Sequence, residues 1–181
     1  MKKDSLAFFT RTVSQAWTAT GPGIVDYCRR ALSALAGADP SEDWLASLLR
    51  ERPAARQLYR DPAHGFMLLA HTENEDLYRP PHDHGRAWVV YAVQSGALEI
   101  GTYAKVAAPD GTIALVERDR SVLRRGEARA YFAGDIHDTR CLSGSATLFR
   151  FTERDLKVED QVERKLTRFV ERDGLWTVPT L

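Results

Sequence analysis

Apolar side chains recur three or four residues apart through the first fifty residues, which is the spacing of an amphipathic helix. Breaks in the pattern fall at Gly21-Pro22-Gly23 and at Gly37. Asp39 and Pro40 suit the start of a further helix, because Asp is a good cap and Pro fits a first helical turn. The pattern predicts an N-terminal helical subdomain, residues 1–55, with helices over 6–17, 24–36 and 40–52.

Near residue 60 the pattern changes to short apolar or alternating runs separated by turn residues. Turn signals such as Pro109-Asp110-Gly111 and Ala133-Gly134-Asp135 lie between these runs. Runs of this length and spacing are typical of an all-β sandwich or barrel. We predict a barrel over residues 56–155 and a charged tail, residues 156–181, that packs back on it. The predicted strands span 66–71, 87–94, 97–105, 112–117, 128–132, 137–142 and 146–152.

Composition narrows the class of partner. Charged residues make up 28% of the chain, but the formal net charge is zero, so there is no electrostatic case for binding nucleic acid or an anionic membrane. No apolar stretch approaches the roughly 20 residues that a membrane helix needs. The two cysteines, Cys28 and Cys141, are far apart in sequence, which favours reduced, buried thiols. We expect a cytoplasmic protein that acts on a small molecule.

Three of the five histidines are placed to meet at one point. His82 and His84 lie two positions apart in "PPHDHG", so on a strand they share one face. His137 follows the tight turn that ends at Asp135, in a separate β segment. We predict that these three imidazoles bind a metal ion and leave coordination positions open for water, substrate or O₂. The other two histidines, His64 and His71, are expected to be structural or exposed.

The strand after the histidine pair carries further candidates. If the pair faces the barrel interior, Val89, Tyr91 and Val93 face the same way, and Trp88 and Val90 face the helices. Tyr91 then places a hydroxyl near the metal, and we predict that it is catalytic, as a hydrogen-bond donor or weak acid. The alternative is a core tyrosine with its hydroxyl at the rim.

The first histidine segment resembles the first motif of the cupin superfamily, a small double-stranded β-helix. That motif is a glycine, five residues, H-x-H, a glutamate and a closing glycine. His82, His84 and Gly96 match it, whereas Asp76 stands at the leading glycine and Val89 at the glutamate. Because valine cannot bind a metal, the resemblance implies a site with three neutral imidazoles and no carboxylate.

The second histidine segment resembles the second cupin motif, about fifty residues later. Gly126, Gly134 and His137 match it, while Phe132 replaces its proline and Cys141 its asparagine. Two motifs in the right order and with the right internal spacing are far more specific than H-x-H alone. The resemblance implies an all-β fold, a cupin jelly-roll barrel, preceded here by the helical subdomain.

A three-histidine cupin with "HDH" before an aromatic strand and "GDIH" later resembles the cysteine dioxygenase (thiol dioxygenase) family, which also carries helices before its barrel. The resemblance implies a mononuclear Fe(II), O₂, and a small thiol or carboxylate substrate. Zn, Ni or Mn are alternatives, because imidazole suits several metals. It also implies an upstream arginine for the substrate carboxylate, for which Arg60 is preferred to Arg56. A homodimer is expected by analogy with other cupins.

One strand departs from the thiol dioxygenase pattern. Many members carry Ser-x-His-x-Tyr after the last metal ligand, with the tyrosine facing the iron. The matching strand is predicted to keep Thr147 for the serine and to place Phe149 and Phe151 at the His and Tyr positions. These phenylalanines favour a non-catalytic metal- or ligand-binding cupin, whereas the three histidines favour an enzyme. Both interpretations stay open.

Overall fold

The structure is a computed structural model that describes residues 4–17, 22–107 and 113–178. Gly21 and the predicted turn Pro109-Asp110-Gly111 lie outside the described residues. The first of the described residues form three helices, α1 (Ser5–Ala16), α2 (Pro22–Ala36) and α3 (Asp43–Glu51). None of the helices that the structure describes is both long and apolar enough to cross a bilayer.

Local chemistry explains where the helices begin and end. The Asp4 carboxylate caps α1 by accepting the Ala7 N–H at 2.9 Å. The third helix begins later than predicted, because Asp39 accepts the Ser41 N–H in a preceding turn and Glu42 occupies the cap position. It ends at Arg52, whose backbone is left-handed with φ of 47°.

Two antiparallel sheets face each other and form a nearly closed barrel, so the predicted all-β jelly-roll barrel with N-terminal helices is confirmed. One sheet has the strand order β1-β2-β9-β4-β7, and the other has the order β10-β11-β6-β5-β8-β3. The strands are β1 (Arg56–Arg60), β2 (Met67–Asn74), β3 (Tyr78–His82), β4 (Val89–Ser95), β5 (Ala97–Ala107), β6 (Ile113–Arg124), β7 (Ala128–Tyr131), β8 (Ile136–Cys141), β9 (Ser145–Thr152), β10 (Val170–Arg172) and β11 (Leu175–Thr177).

The first sheet is covered on both faces, and the alternation of β4 shows how. Val89, Tyr91 and Val93 pack inside the barrel. Trp88 and Val90 pack in a second cluster with the buried faces of the helices. The sequence predicted this division, because successive side chains of a strand point to opposite faces.

The strand β9 follows the same rule, and here the sequence-based assignment of the inward residues was wrong. Phe149 and Phe151 pack in the cluster beneath the helices and do not face the histidines. Leu148, Arg150 and Thr152 face the cavity inside the barrel instead. A shift of one residue in a strand moves every side chain to the other face, so the aligned positions were displaced by one.

The tail after the barrel forms a π-helical turn (Val158–Val162). It then forms the hairpin β10–β11, which joins the second sheet through the pairing of β11 with β6. Phe169 is buried in a cluster with Leu115 and Ile136. The Asp83 carboxylate accepts the Thr167 N–H at 2.8 Å, which ties the loop between the paired histidines to the tail. The tail therefore holds the histidine loop in place.

Candidate metal centre

The structure brings His82, His84 and His137 together. His82 ends β3 and lies directly opposite His137 on β8, and His84 follows in the loop. One ring nitrogen from each histidine lies within 4.8 Å of the other two. The antiparallel pairing of β3 with β8 thus unites the two sequence segments that carry the motif.

The hydrogen bonding of the three rings fits a metal ion. The Nδ1 of His82 is 2.8 Å from the Pro80 carbonyl and donates to it, so its Nε2 keeps a free lone pair. His84 Nδ1 and both nitrogens of His137 are buried with no hydrogen-bond partner among the residues described. Buried polar atoms are almost always satisfied, so unpartnered nitrogens on two adjacent rings, beside the free lone pair of His82, indicate a ligand that binds imidazole.

The surroundings keep these imidazoles in the form that binds metal. Burial lowers the pKa of His82, and it lowers the pKa of His84 and His137 well below the ordinary value. The neighbouring histidines lower the pKa of His84 and His137 further. Neutral imidazole is the ligating form, so no proton has to be displaced near neutral pH.

Two tyrosines border the histidine cluster from inside the barrel. The Tyr91 hydroxyl is 3.2 Å from His84 Nε2, and burial raises the pKa of Tyr91, so the group keeps its proton. The Tyr131 ring lies 4.1 Å from the His137 ring, and its buried hydroxyl has no partner in the described part of the chain. Val89, where the cupin motif has its glutamate, is buried in the same apolar cluster as the two tyrosines.

A cavity of about 880 Å³ leads from the barrel mouth to the histidine cluster. His82, His84 and Tyr91 line it, whereas His137 is fully buried behind them. Arg60 lies on the same cavity but at its rim, because its side chain is 52% exposed and pairs with Asp155 at 3.1 Å. Its role in binding a carboxylate stays a prediction.

Sequence reasoning missed two polar residues in the cavity. Arg150 projects from the middle of β9, and His71 lies inside β2 rather than at a strand end. The buried Nε2 of His71 has no partner among the described residues. Strict alternation along β2 from Met67 would have found His71, because the two residues line the same cavity. His64, by contrast, is exposed.

Asp83 and Asp138, which flank the histidines in sequence, do not bond an imidazole. Asp83 accepts the N–H groups of Gly85 and Thr167. It therefore fixes the backbone of the histidine loop rather than a ring.

The fold and the site together define a β-barrel protein with a three-histidine cluster at the inner end of a deep cavity. No family model and no curated protein matches the sequence. Among solved structures, the Cnp3 cupin domain of Schizosaccharomyces pombe is similar with a TM-score of 0.44 and 9% identity, over 59% of this chain and 63% of that one.

Two further solved structures are similar at this level. KdgF from a Halomonas species has a TM-score of 0.43 and 19% identity, over 56% of this chain and 78% of that one. An oxalate oxidase has a TM-score of 0.41 and 20% identity, over 56% of this chain. The match spans only 51% of the oxalate oxidase. Each of these similarities concerns the fold of the barrel alone.

Proposed function

We propose that this protein is a three-histidine cupin enzyme that uses one divalent metal ion, Fe(II) in the first place, to oxidise a small thiol or carboxylate with O₂. The observation that carries the proposal is the cluster of His82, His84 and His137, with buried unpartnered nitrogens at the inner end of a cavity. The H-D-H and GDIH segments support the thiol dioxygenase class over other cupin chemistries.

The chain's own residues have defined tasks in this proposal. The three imidazoles hold the metal as neutral ligands, and a bound Fe(II) with open positions supplies a binding place for an anionic thiolate and for O₂. Tyr91 keeps its proton and can donate a hydrogen bond to a group bound beside His84. The apolar part of the cavity lining, which includes Met67, Leu98 and Leu148, limits water around the reacting groups.

An enzyme is favoured over a non-catalytic barrel by the polar groups that face the cavity. The main argument for a non-catalytic protein was the presence of phenylalanine at Phe149 and Phe151, but both side chains face the helices. Tyr91, Arg150 and His71 face the cavity instead. A barrel that had lost catalysis would have no use for three such groups beside three imidazoles.

Metal content measured by elemental analysis tests the proposal, on untagged protein as purified and again after anaerobic loading with Fe(II). We expect near-stoichiometric iron, and its loss in His82→Ala, His84→Ala and His137→Ala. His64→Ala is the matched control, because His64 is exposed and away from the cluster. O₂ uptake in the presence of small thiols then measures turnover.

The outcomes separate the alternatives. Zn, Ni or Mn retained against excess Fe(II) would replace the oxygenase with another cupin chemistry. A folded protein that binds no metal, or that binds it equally well in all three variants, would contradict the enzyme and leave a ligand-binding barrel.

A further inference from the structure

Charge pairing around the cavity leaves one arginine without a counter-charge. Arg150 has no carboxylate partner among the residues that the structure describes, and its Nε is buried without a hydrogen bond. Arg150 is half-buried in the cavity wall, and a partly desolvated guanidinium without a counter-charge is well placed to bind an anion. The four other arginines of the cavity lining all have partners, which are Glu51 for Arg56, Asp155 for Arg60, Glu73 for Arg79 and Asp160 for Arg168.

Arg150 is close to the histidine cluster. In the sheet it lies directly opposite Tyr91 on β4, and its positive charge acts on the Tyr91 hydroxyl. The Tyr91 hydroxyl is in turn 3.2 Å from His84 Nε2. An anion bound by Arg150 would therefore lie one side chain away from a group held at the histidines.

His71 adds a second polar contact on the neighbouring strand. It is on β2 two residues from Leu69, which lies directly opposite Arg150. Its ring bonds to the backbone of Ala54, and burial lowers the pKa of His71 to about 3, so the ring is neutral. The remaining nitrogen, Nε2, is buried without a partner and can only accept a hydrogen bond.

We propose that Arg150 binds the carboxylate of the substrate and that His71 Nε2 accepts a hydrogen bond from a second polar group on the same molecule. The substrate class is then a small acid that carries a thiol, hydroxyl or amino group. A planar guanidinium can bind a carboxylate through two parallel hydrogen bonds, which the paired and exposed Arg60 does not offer. The chemistry at the reacting end of this molecule rests on the proposed function, whereas the binding of its carboxylate by Arg150 does not.

Two matched probes test the anion site: mercaptoacetate and its uncharged counterpart 2-mercaptoethanol. Calorimetric titration into the metal-loaded protein under nitrogen should show that mercaptoacetate binds about 10- to 100-fold more tightly. Arg150→Met should abolish this preference with the metal content unchanged. Arg60→Met, the control at the rim, should keep it. A preference that survives in Arg150→Met, or that is lost in Arg60→Met, overturns the proposal.

The same probes separate this proposal from the proposed function. In metal-free protein and in His137→Ala, saturation-transfer NMR should still detect mercaptoacetate in preference to 2-mercaptoethanol, and Arg150→Met should remove the difference. If no metal binds but this preference is present, the proposed function fails and the anion site stands. If metal binds but neither form of the protein prefers the acid, the anion site fails and the metal centre stands.

Further variants test whether Arg150 and His71 contact the ligand or only support the fold. Arg150→Lys keeps the positive charge but loses the two parallel N–H donors of the guanidinium, so it should weaken mercaptoacetate binding about threefold to tenfold. In the metal-free protein, where both probes keep the thiol proton, His71→Leu should weaken both by a similar factor, because both can donate a hydrogen bond from the thiol. Arg150→Met should also raise the melting temperature of the ligand-free protein by a few degrees, since it removes an unpaired charge. A lower melting temperature would instead assign Arg150 to the scaffold.

Discussion

His137 and Asp138 are neighbours on β8, and both are almost fully buried, yet their surroundings are opposite. Neither ring nitrogen of His137 has a hydrogen-bond partner in the described structure. The Asp138 carboxylate accepts hydrogen bonds from four groups, which are the Tyr78 hydroxyl at 3.0 Å, the Tyr103 hydroxyl at 2.6 Å, the Gly101 N–H at 2.8 Å and the Arg120 guanidinium at 3.2 Å.

The difference shows how one strand serves two purposes. Successive side chains alternate, so His137 points into the barrel and Asp138 points to the outer face, where the tail covers the sheet. A buried polar group with all its bonds made within the chain stabilises the fold. A buried polar group that forms no hydrogen bond is unfavourable until a ligand binds to it. The contrast assigns Asp138 to the scaffold and His137 to the site.

Removing the carboxylate of the Asp138 cluster, which is Asp138 with its four donors, should destabilise the protein most. Asp138→Ala should lower the free energy of unfolding by about 2–4 kcal/mol, because the buried Gly101 N–H and two partly buried tyrosine hydroxyls lose their acceptor. Arg120 keeps Glu117 and Glu99 as partners, which limits the loss. Urea denaturation of the metal-free protein measures the change.

The matched control for this substitution is Asp119→Ala. Asp119 forms an ion pair with Arg129 at 3.3 Å, but its side chain is 60% exposed. We expect a change within about 0.5 kcal/mol, since exposed ion pairs contribute little. Equal losses in the two variants would show that the Asp138 cluster does not stabilise the fold.

The next effect concerns the glycine beneath the Asp138 carboxylate. A Cβ on Gly101 would lie 2.5 Å from Arg120 Nη2 and 2.7 Å from Asp138 Oδ1. Gly101→Ala should therefore push the carboxylate away from its donors and destabilise the protein by about 1–3 kcal/mol.

Gly144→Ala is the control for crowding, because a Cβ there would meet nothing within 4 Å. Thermal unfolding followed by circular dichroism compares the two variants. If the melting temperature falls equally in both, the packing over Gly101 is not the cause.

Sequence reasoning reached the histidine cluster because its signal is local. His82 and His84 stand two apart, and His137 follows a glycine turn in which Gly134 has φ of 81°. Asp76, at the motif's leading glycine, also has a positive φ of 58°, so the turn keeps its backbone shape without the glycine. Asp is one of the few residues that tolerate this conformation.

The strands that sequence reasoning missed lack the usual signal. β3 contains Pro80 and Pro81, which argue against a strand, but β3 is the edge of its sheet, where proline is tolerated. β1 is another edge strand, of five mostly polar residues, and β10 and β11 have three residues each. Short edge strands gain their stability from neighbours that sequence alone does not place.

The register of β9 was misjudged for a different reason. Helices cover one face of this strand and the barrel interior lies on the other, so both faces carry apolar residues. Because neither face is polar, alternation does not show which residues face the helices and which face the barrel interior. Arg150 was the one charge in the run from Ser145 to Thr152, and its position, rather than that of the phenylalanines, marked the inward face.

Replacing His137 should have a smaller effect than these substitutions, and one of opposite sign. His137→Phe replaces two unpartnered nitrogens with carbon in an aromatic ring that packs beside Tyr131. In metal-free protein we expect the free energy of unfolding to rise by about 1 kcal/mol, because the penalty for burying the nitrogens is removed. Metal binding should be lost in the same variant. Urea denaturation with and without bound metal measures both changes: metal should stabilise the wild type and leave the variant unaffected. A loss of stability in the metal-free variant would mean that His137, like Asp138, belongs to the scaffold.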